Sequence, residues 1–292
     1  MSIRTFRTII TVFFFCVFVV FAVYRVRLLM VSDSTAPVIS ADTDVLEASV
    51  SITDEDLLKG MSAFDNKDGD VTDSLVVVSR SKFIKKGTLR VNYAAFDKSN
   101  NVGTYTRELT YTDYESPKFS ISQPLRWMNG DSQQNYLENI RATDCISGDI
   151  TRQIMYTLGD KRMVSDKASV QTFNLQVTNS AGDTSTLELE ISLDDYETYY
   201  TPAPHLSDYL MYIKVGEKPD YRAQLKGVWT GGMTSSFEDA GYSPDSDVQI
   251  DSSRVRVNEP GVYPVYYRLS RIRSDGSREI LGLAKMMVIV EE

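Results

Sequence analysis

The fold of this 292-residue chain is decided by a ten-residue stretch that occurs twice, first as Ala63-Phe64-Asp65-Asn66-Lys67-Asp68-Gly69-Asp70-Val71-Thr72. The second copy reads Ala142-Thr143-Asp144-Cys145-Ile146-Ser147-Gly148-Asp149-Ile150-Thr151. Ala, Asp, Gly, Asp and Thr stand at the same places in both copies. The copies begin at residues 63 and 142, a separation of 79 residues, about the length of one small β-sandwich. The repeat therefore predicts a tandem array of such domains.

Alternating apolar side chains downstream of each copy predict a β-hairpin. Residues 88–96 place Leu, Val, Tyr and Ala on one face, and residues 105–111 alternate after the Asn-rich turn 97–101. The second copy is followed by the same pattern in residues 173–177 and 187–193. Two half-buried strands around a polar turn are typical of a hairpin. The agreement extends the repeat well beyond ten residues.

The boundaries of the predicted modules follow from the repeat and from the polar or proline-containing segments around it. A polar stretch from Ser32 to Pro37 precedes the first module, and the Tyr- and Pro-rich residues 196–204 are predicted as a linker. In the last hundred residues the motif is missing, and 231–247 reads as an irregular insertion. The predicted organisation is a tail at 1–8, a helix at 9–31, and immunoglobulin-like repeats at 35–114, 115–195 and, more divergent, 196–292.

The N-terminus is predicted to be a single transmembrane signal-anchor helix. Residues 9–24 carry no charge, and two arginines flank the stretch on each side. A cleaved signal peptide is the alternative, but 21–25 offers no small-x-small cleavage site. The flanking arginines can reach the headgroups while residues 28–31 extend the apolar length towards the roughly 20 residues a span needs. The arginines are balanced, so the positive-inside rule leaves the orientation open.

Charge restricts the partners of the remaining chain. The first 27 residues contain four arginines and no acid, which leaves 27 basic against 40 acidic side chains elsewhere. This acidity argues against nucleic acid and against lying flat on an anionic bilayer. A leading apolar helix followed by β-modules predicts a single-pass cell-membrane protein whose C-terminal domains are extracellular.

The two cysteines cannot stabilise the array. Cys16 lies in the apolar helix and Cys145 in the second motif, so we expect no disulfide between them. An exported array without disulfides depends on its sandwich cores, as is common in bacterial surface proteins. The chain also has no Asn-x-Ser/Thr sequon, in keeping with a bacterial source.

These motifs resemble the bacterial immunoglobulin-like repeats of surface proteins, relatives of the hyalin-repeat and cadherin-like sandwiches. The resemblance rests on Ala-x-Asp-x-x-(Asp/Ser)-Gly-Asp-(Val/Ile)-Thr and on the Pro260–Tyr267 strand of the third module, Pro-Gly-Val-Tyr-Pro-Val-Tyr-Tyr. It covers most of residues 35–195 and only weakly 205–292. The resemblance implies non-catalytic spacer or binding modules on the cell envelope.

The Asp-rich motif is the candidate metal site. Asp65, Asp68 and Asp70, with Asp97 on a later turn, offer hard oxygen ligands for calcium. The spacing is not that of an EF-hand, since Gly69 falls at position five and no Glu closes the loop. The alternative, which we favour, is that the aspartates make Asx-type turns. The second copy carries Ser147 in place of Asp68 and retains the shared residues. No other cofactor is expected.

Catalysis is not expected from this chain. His205 is the only histidine and directly follows Pro204 at the end of the predicted linker, so a Ser-His-Asp triad or a multi-histidine metal site is excluded. Paired carboxylates are not excluded by composition, and residues 229–247 are the one insertion that offers room for a cleft. Aromatic side chains that could stack on sugars are expected mainly to pack in cores and between domains: Trp127, Trp229, Tyr199, Tyr200, Tyr209 and Tyr212.

The sequence thus predicts a membrane-anchored, non-enzymatic binding or spacer protein of a bacterial envelope that acts through protein or glycan contacts. An accessory subunit of an envelope assembly or export complex is the alternative, and a carbohydrate-active enzyme the third interpretation.

Overall fold

The structure, a computed structural model, describes residues 3–31, 33–130 and 134–292. Helix α1 runs from Ile3 to Val31, six residues further towards the N-terminus than predicted, because Arg4 and Arg7 are good helix formers. Residues Ile3–Arg27 are long and apolar enough to cross a membrane, and an 18-residue window within them has a mean hydropathy of 2.6. A signal sequence passes the same test. Ser32 of the predicted polar stretch and Met1–Ser2 of the predicted tail lie outside the described residues.

The chain divides into two compact units, Met1–Tyr114 and Glu115–Glu292. The first unit contains α1 and one β-sandwich, and the second contains two sandwiches. The described residues are mainly β, in sheets of three or four strands. The predicted fold class, tandem immunoglobulin-like sandwiches after an apolar helix, is confirmed.

The first sandwich packs a three-stranded sheet, in the order β1-β3-β4, against a four-stranded sheet in the order β2-β7-β6-β5. Strand β2 runs parallel to β7, and the other pairs are antiparallel. Its described elements are β1 Val38–Ala41, β2 Val45–Ala48, α2 Asp54–Leu57, β3 Met61–Asp65, β4 Gly69–Asp70, β5 Val76–Arg80, β6 Thr88–Phe96 and β7 Val102–Tyr111.

The second sandwich repeats this plan strand for strand. Its sheets have the orders β11-β10-β8 and β12-β13-β14-β9, and β9 is parallel to β14. Its described strands are β8 Lys118–Ile121, β9 Arg126–Met128, β10 Ile140–Asp144, β11 Gly148–Asp149, β12 Met155–Ser165, β13 Ala168–Thr178 and β14 Thr184–Asp194.

The third sandwich keeps the topology although the ten-residue motif is missing from it. Its sheets have the orders β15-β17-β18 and β16-β21-β20-β19, and β16 is parallel to β21. Its described strands are β15 Ala203–Leu206, β16 Leu210–Lys214, β17 Leu225–Thr230, β18 Met233–Ser235, β19 Val248–Asp251, β20 Gly261–Ile272 and β21 Arg278–Glu291.

The predicted hairpins are confirmed. Strands β6 and β7 pair from Thr88–Thr110 to Phe96–Val102, and β13 and β14 pair from Ala168–Asp194 to Thr178–Thr184. Inward side chains alternate as the two-residue period requires, with the core faces formed by Leu89, Val91, Tyr93 and Ala95 and by Leu187, Leu189, Ile191 and Leu193. A short helix, α2, begins after its N-cap Thr53, whose side chain accepts the N–H of Asp56 at 3.1 Å.

The second and third sandwiches share one hydrophobic core. A backbone hydrogen bond connects the two sandwiches, in which the N–H of Tyr209 donates to the carbonyl of Ile121 at 2.9 Å. The side chain of Asp208 accepts the N–H of Ile121 at 2.9 Å. The guanidinium of Arg126 lies 5.0 Å from the ring centroid of Trp229. Buried apolar area, hydrogen bonds and a cation–π contact therefore hold the two sandwiches as one unit.

The predicted linker at 196–204 does connect the second sandwich, which ends at Asp194, to the third, but it ends earlier than predicted. Residues Tyr196–Tyr199 form a short helix, α3, capped by Asp195, and Ala203 already begins β15. His205 consequently lies within β15 opposite Gly227, not in a linker. The Tyr and Pro content of this segment reflects packing, because Tyr199 stacks edge-on against Trp229 at 5.3 Å.

In each sandwich, the proline just before the first strand lies close to the second strand of the hairpin. A Cβ added to Gly103 would lie 2.0 Å from the carbonyl oxygen of Pro37, and one added to Gly282 would lie 2.1 Å from that of Pro202. The second sandwich carries Ser185 at this place, whose hydroxyl donates to the carbonyl of Pro117 at 2.6 Å. Glycine is required in the first and third sandwiches by this backbone approach.

Candidate functional site

The repeated motif forms the same turn in both copies. Asp65 Oδ1 accepts the N–H groups of Lys67 and Asp68, each at 2.8 Å. Asp144 Oδ2 accepts the equivalent N–H groups of Ile146 and Ser147, at 3.1 and 2.9 Å. The shared aspartate therefore has a structural role in each copy, as an Asx-type turn predicts.

The motif threonine ties the turn back to the preceding strand. Its hydroxyl accepts the N–H of Ala63 in the first copy and of Ala142 in the second, both at 3.1 Å. The second motif aspartate accepts the N–H of the same threonine, at 3.0 Å for Asp70 and 2.9 Å for Asp149. These bonds explain why Asp, Gly, Asp and Thr recur together.

The first sandwich adds an acidic cluster to this turn. One carboxylate oxygen from each of Asp33, Asp65, Asp68 and Asp97 lies within 4.8 Å of the others. Asp65 and Asp97 are buried, with 1% and 6% of their surface exposed, and the other two are half-buried. Three of these residues belong to the predicted calcium set. Asp70, the fourth predicted ligand, lies outside the cluster.

Two oxygens of the cluster have no hydrogen-bond partner among the described residues. Asp65 Oδ2 and Asp33 Oδ2 are both buried, and neither accepts a hydrogen bond from the described residues. The remaining oxygens are engaged: Asp97 accepts the backbone and side-chain N–H groups of Asn101 at 2.7 and 2.6 Å. Asp68 accepts the N–H of Lys98 at 2.9 Å, and the Lys98 ammonium lies 3.6 Å from its other oxygen.

The turn stabilises the ionised form of the Asp65 carboxyl. Hydrogen bonds from the backbone N–H groups of Asp68 and Lys67 lower the pKa of its carboxyl, against a smaller opposing effect of burial. Asp65 is therefore ionised near neutral pH, next to three further carboxyl groups. A buried carboxylate is stabilised only by a cation or by hydrogen-bond donors, so the unpaired oxygens require one of these.

The second sandwich meets the same requirement with an amide. Asn179 occupies the place of Asp97, since each accepts the N–H of the residue four positions on: Asp183 at 2.9 Å and Asn101 at 2.7 Å. The amide of Asn179 donates to Asp144 Oδ1 at 3.0 Å. The two copies thus differ in one decisive group: an amide donor in the second and a carboxylate in the first.

A second candidate site is a cleft of about 500 Å³ between the second and third sandwiches. Its walls carry both apolar and charged side chains, among them Arg126, Arg162, Glu190, Asp194, Tyr266 and Lys285. The charges are paired: Glu190 accepts from Arg162 at 2.7 Å and from Lys285 at 3.1 Å.

Basic side chains also hold the two cleft carboxylates, Glu190 and Asp194, by hydrogen bonds. The hydrogen bond from Arg162 is the main cause that lowers the pKa of Glu190, with Lys285 adding to it and burial opposing it. Asp194, only 2% exposed, accepts from Arg126 Nε at 2.8 Å. The same guanidinium donates to the carbonyl of Thr198 at 2.7 Å. Both carboxylates are held as hydrogen-bond acceptors.

Most of the candidate aromatic residues pack as expected. Trp229 and Tyr209 are 2% and 4% exposed, and Trp127 stacks edge-on against Tyr136 at 5.0 Å. The hydroxyl of Tyr212 accepts the N–H of Phe119 at 2.9 Å, and burial raises its pKa to about 12. Tyr200 remains partly exposed, beside Tyr199.

Two side chains of the sandwiches, Cys145 and His205, carry a thiol and an imidazole. Burial raises the pKa of the Cys145 thiol, whose sulfur donates to the carbonyl of Glu115 at 3.2 Å. Burial lowers the pKa of His205, which lies 3.4 Å from the hydroxyl of Tyr209. A thiol and an imidazole shifted in these directions are neutral near pH 7.

Sequence reasoning missed Asp33 and the cleft residues. Asp33 precedes the first sandwich and has no place in the repeated motif, so only the tertiary fold brings it to Asp65. The cleft forms between two sandwiches, and local patterns carry no signal of such a pairing. One signal was available: the exchange of Asp97 for Asn179 at matching hairpin turns marks the position where the two copies differ in charge.

Comparison with known proteins yields structural similarity alone. The chain matches no protein-family model, and no curated protein sequence is similar to it. It is similar to the M60 catalytic domain with two CBM51 domains from Clostridium perfringens ZmpB, at 14% identity and a TM-score of 0.20 over 89% of this chain and 31% of that one.

Cadherin repeats are also among the similar structures. The protocadherin GammaB4 extracellular domain aligns over 89% of this chain and 50% of its own, at 12% identity and a TM-score of 0.19. Mouse protocadherin-24 EC1-3 aligns over 89% and 98%, at 10% identity and a TM-score of 0.19. The chain spans half or less of the ZmpB and GammaB4 structures.

Proposed function

We propose that this chain is a membrane-anchored, non-enzymatic binding protein of a bacterial envelope, and that its ligand site is the cleft between the second and third sandwiches. The observation that carries the proposal is a preformed cleft of about 500 Å³ in the second unit. The same chain carries an apolar helix long enough to cross a membrane. Small-molecule sites are typically concavities of about 300–1,000 Å³ with apolar walls and a few fixed polar groups.

The shape and chemistry of the cleft favour a glycan over a protein partner. A stable protein interface buries about 1,200–2,000 Å² of surface, whereas this cleft would enclose one or two sugar rings. Ion-paired Glu190 and Asp194 offer oriented acceptors, and Arg126 and Lys285 offer donors, for uncharged hydroxyl groups. The half-buried ring of Tyr266 supplies an aromatic wall.

The protonation state of the cleft supports binding without hydrolysis. A glycosidase needs one carboxylic acid whose pKa is raised so that it can protonate the leaving group. The pKa of Glu190 is instead lowered by its hydrogen bond from Arg162. Burial lowers the pKa of the single histidine, which is half-buried in the third sandwich. These features support an extracellular module of the immunoglobulin-like repeat type that recognises a ligand.

A glycan-binding assay on the full chain in detergent micelles tests the proposal. We expect one class of envelope glycan to bind, and Tyr266→Ala to weaken that binding about tenfold, because it removes an aromatic wall of the cleft. Tyr105→Ala is the matched control, since Tyr105 lies in the first sandwich, hydrogen-bonded to Asp44. Equal binding by both variants, or no binding to any glycan, would contradict the assignment of the cleft.

A further inference from the structure

The two copies of the motif differ in how they neutralise the buried aspartate of the turn. In the second sandwich the amide of Asn179 donates to Asp144 at 3.0 Å. In the first sandwich the equivalent residue is Asp97, a carboxylate, and Asp65 Oδ2 is buried with no partner among the described residues. The first copy therefore holds excess negative charge at the position where the second copy holds a hydrogen-bond donor.

We propose that the first sandwich binds one calcium ion between Asp33, Asp65, Asp68 and Asp97. Asp65 distinguishes this cluster from an ordinary acidic surface patch. It is only 1% exposed, and its Oδ2 has no hydrogen-bond partner among the described residues. Asp33 Oδ2 is buried and unpaired in the same cluster. Buried charges in proteins are paired or coordinate metals.

The spacing of the oxygens fits a calcium ion. Calcium binds oxygen at about 2.3–2.6 Å, so two ligands on opposite sides of one ion lie about 4.6–5.2 Å apart. One oxygen of each of the four carboxylates lies within 4.8 Å of the others, which allows all four to face a single ion. A set rich in carboxylates with loose geometry favours calcium over magnesium, which requires near-ideal octahedral coordination at about 2.0–2.1 Å.

The charge of the cluster also favours a divalent ion. Lys98 lies 3.6 Å from Asp68, but its side chain is 82% exposed and so offsets the charge of four carboxylates only weakly. Calcium would reduce the net repulsion without displacing the turn, because Asp65 Oδ1 already accepts two backbone N–H groups and Oδ2 is left for the ion.

Calcium at this place would tie the segment after the membrane helix to the first sandwich. Asp33 lies two residues beyond Val31, the last residue of α1. Its carbonyl already accepts the side-chain N–H of Asn101 at 3.2 Å, and its carboxylate joins two turns of the sandwich in the cluster. Calcium would therefore add a second link between Asp33 and the turns of the first sandwich.

Calorimetry of the full chain in detergent micelles tests the site, with tryptophan fluorescence as an internal reference. Both tryptophans, Trp127 and Trp229, belong to the second unit. Extracellular modules usually bind calcium with a dissociation constant of about 10⁻⁴–10⁻³ M. At that affinity, about 10 mM calcium chloride should raise the melting midpoint of the first unit by about 5 °C or more. The transition followed by tryptophan fluorescence should not move, with sodium chloride of equal ionic strength as the reference.

Variants make the test specific. Asp97→Asn copies Asn179, so it should fold, melt higher than wild type without calcium, and lose the calcium shift. Asp33→Asn keeps the acceptor for the N–H of Thr35 and should reduce the shift. Asp70→Asn is the matched control, because Asp70 lies outside the cluster and should leave the shift intact.

Three results would overturn the proposal. They are a wild-type midpoint insensitive to calcium, an equal shift in Asp97→Asn and wild type, and a shift that tryptophan fluorescence follows as well. Isothermal titration gives the stoichiometry independently, with one ion expected per wild-type chain and none in Asp97→Asn.

Discussion

At the residue scale, the turn explains why some positions of the motif recur and others vary. Asp65, Asp70 and Thr72 each hold backbone N–H groups of the same turn, and their counterparts do so in the second copy. The sequence prediction of Asx-type turns accounts for these shared residues. Asp68, at a variable position, and Asp97, outside the motif, add two further carboxylates next to the turn. The ten-residue motif alone does not predict this cluster.

The second motif aspartate predicts a defined pH dependence. A hydrogen bond from Thr151 is the main cause that lowers the folded-state pKa of Asp149 below its ordinary value of 3.8. A carboxylate with a lowered pKa stabilises the fold above its unfolded pKa, and the contribution is lost as the pH falls through the folded value. Asp149→Asn keeps an acceptor oxygen but removes the charge.

We therefore expect Asp149→Asn to lower the stability of the second unit at pH 7, and the difference from wild type to shrink as the pH falls below the ordinary value of 3.8. Urea unfolding followed by tryptophan fluorescence measures this, since both tryptophans lie in that unit. A difference between variant and wild type that stays constant from pH 7 to pH 2 would contradict the role given to the charge.

At the element scale, hairpins were predictable and edge strands were not. Strand β6 was predicted at its observed bounds because one face is buried in regular alternation. Strand β12, Met155–Ser165, is exposed along its length and therefore carries no such alternation. Strand β15 was not predicted because it contains Pro204 and follows Pro202. Proline is nevertheless tolerated near the start of a strand.

The close approach at the base of each sandwich gives a prediction for glycine. Gly103→Ala would place a Cβ 2.0 Å from the carbonyl oxygen of Pro37, so β1 or β7 must shift. We expect a loss of about 2 kcal/mol or more from the free energy of unfolding of the first unit. Differential scanning calorimetry of the full chain measures it.

The second sandwich supplies the control for this substitution. Ser185→Ala leaves an existing Cβ in place and removes only the hydroxyl that donates to Pro117. Its cost should be about 1 kcal/mol, confined to the second unit. If Gly103→Ala proved as stable as wild type, the backbone approach would not be the reason for glycine.

At the scale of the whole molecule, composition and repeats predict the number of sandwiches but not their association. The third sandwich lacks the motif, yet the parallel pairing of β16 with β21 follows the plan of the other two. Its union with the second depends on contacts between residues far apart in sequence, such as Arg126 and Trp229. Periodicity reports which face of a strand is buried, not which domain covers it.

We propose that an uncleaved α1 holds the sandwiches at a membrane. Fractionation of cells that produce the native chain, followed by alkaline carbonate extraction and N-terminal sequencing, tests it most directly. We expect the protein in the carbonate-resistant membrane fraction, with the residues of α1 retained and the sandwiches open to protease added outside intact cells. A soluble protein whose N-terminus begins after Val31 would contradict the claim.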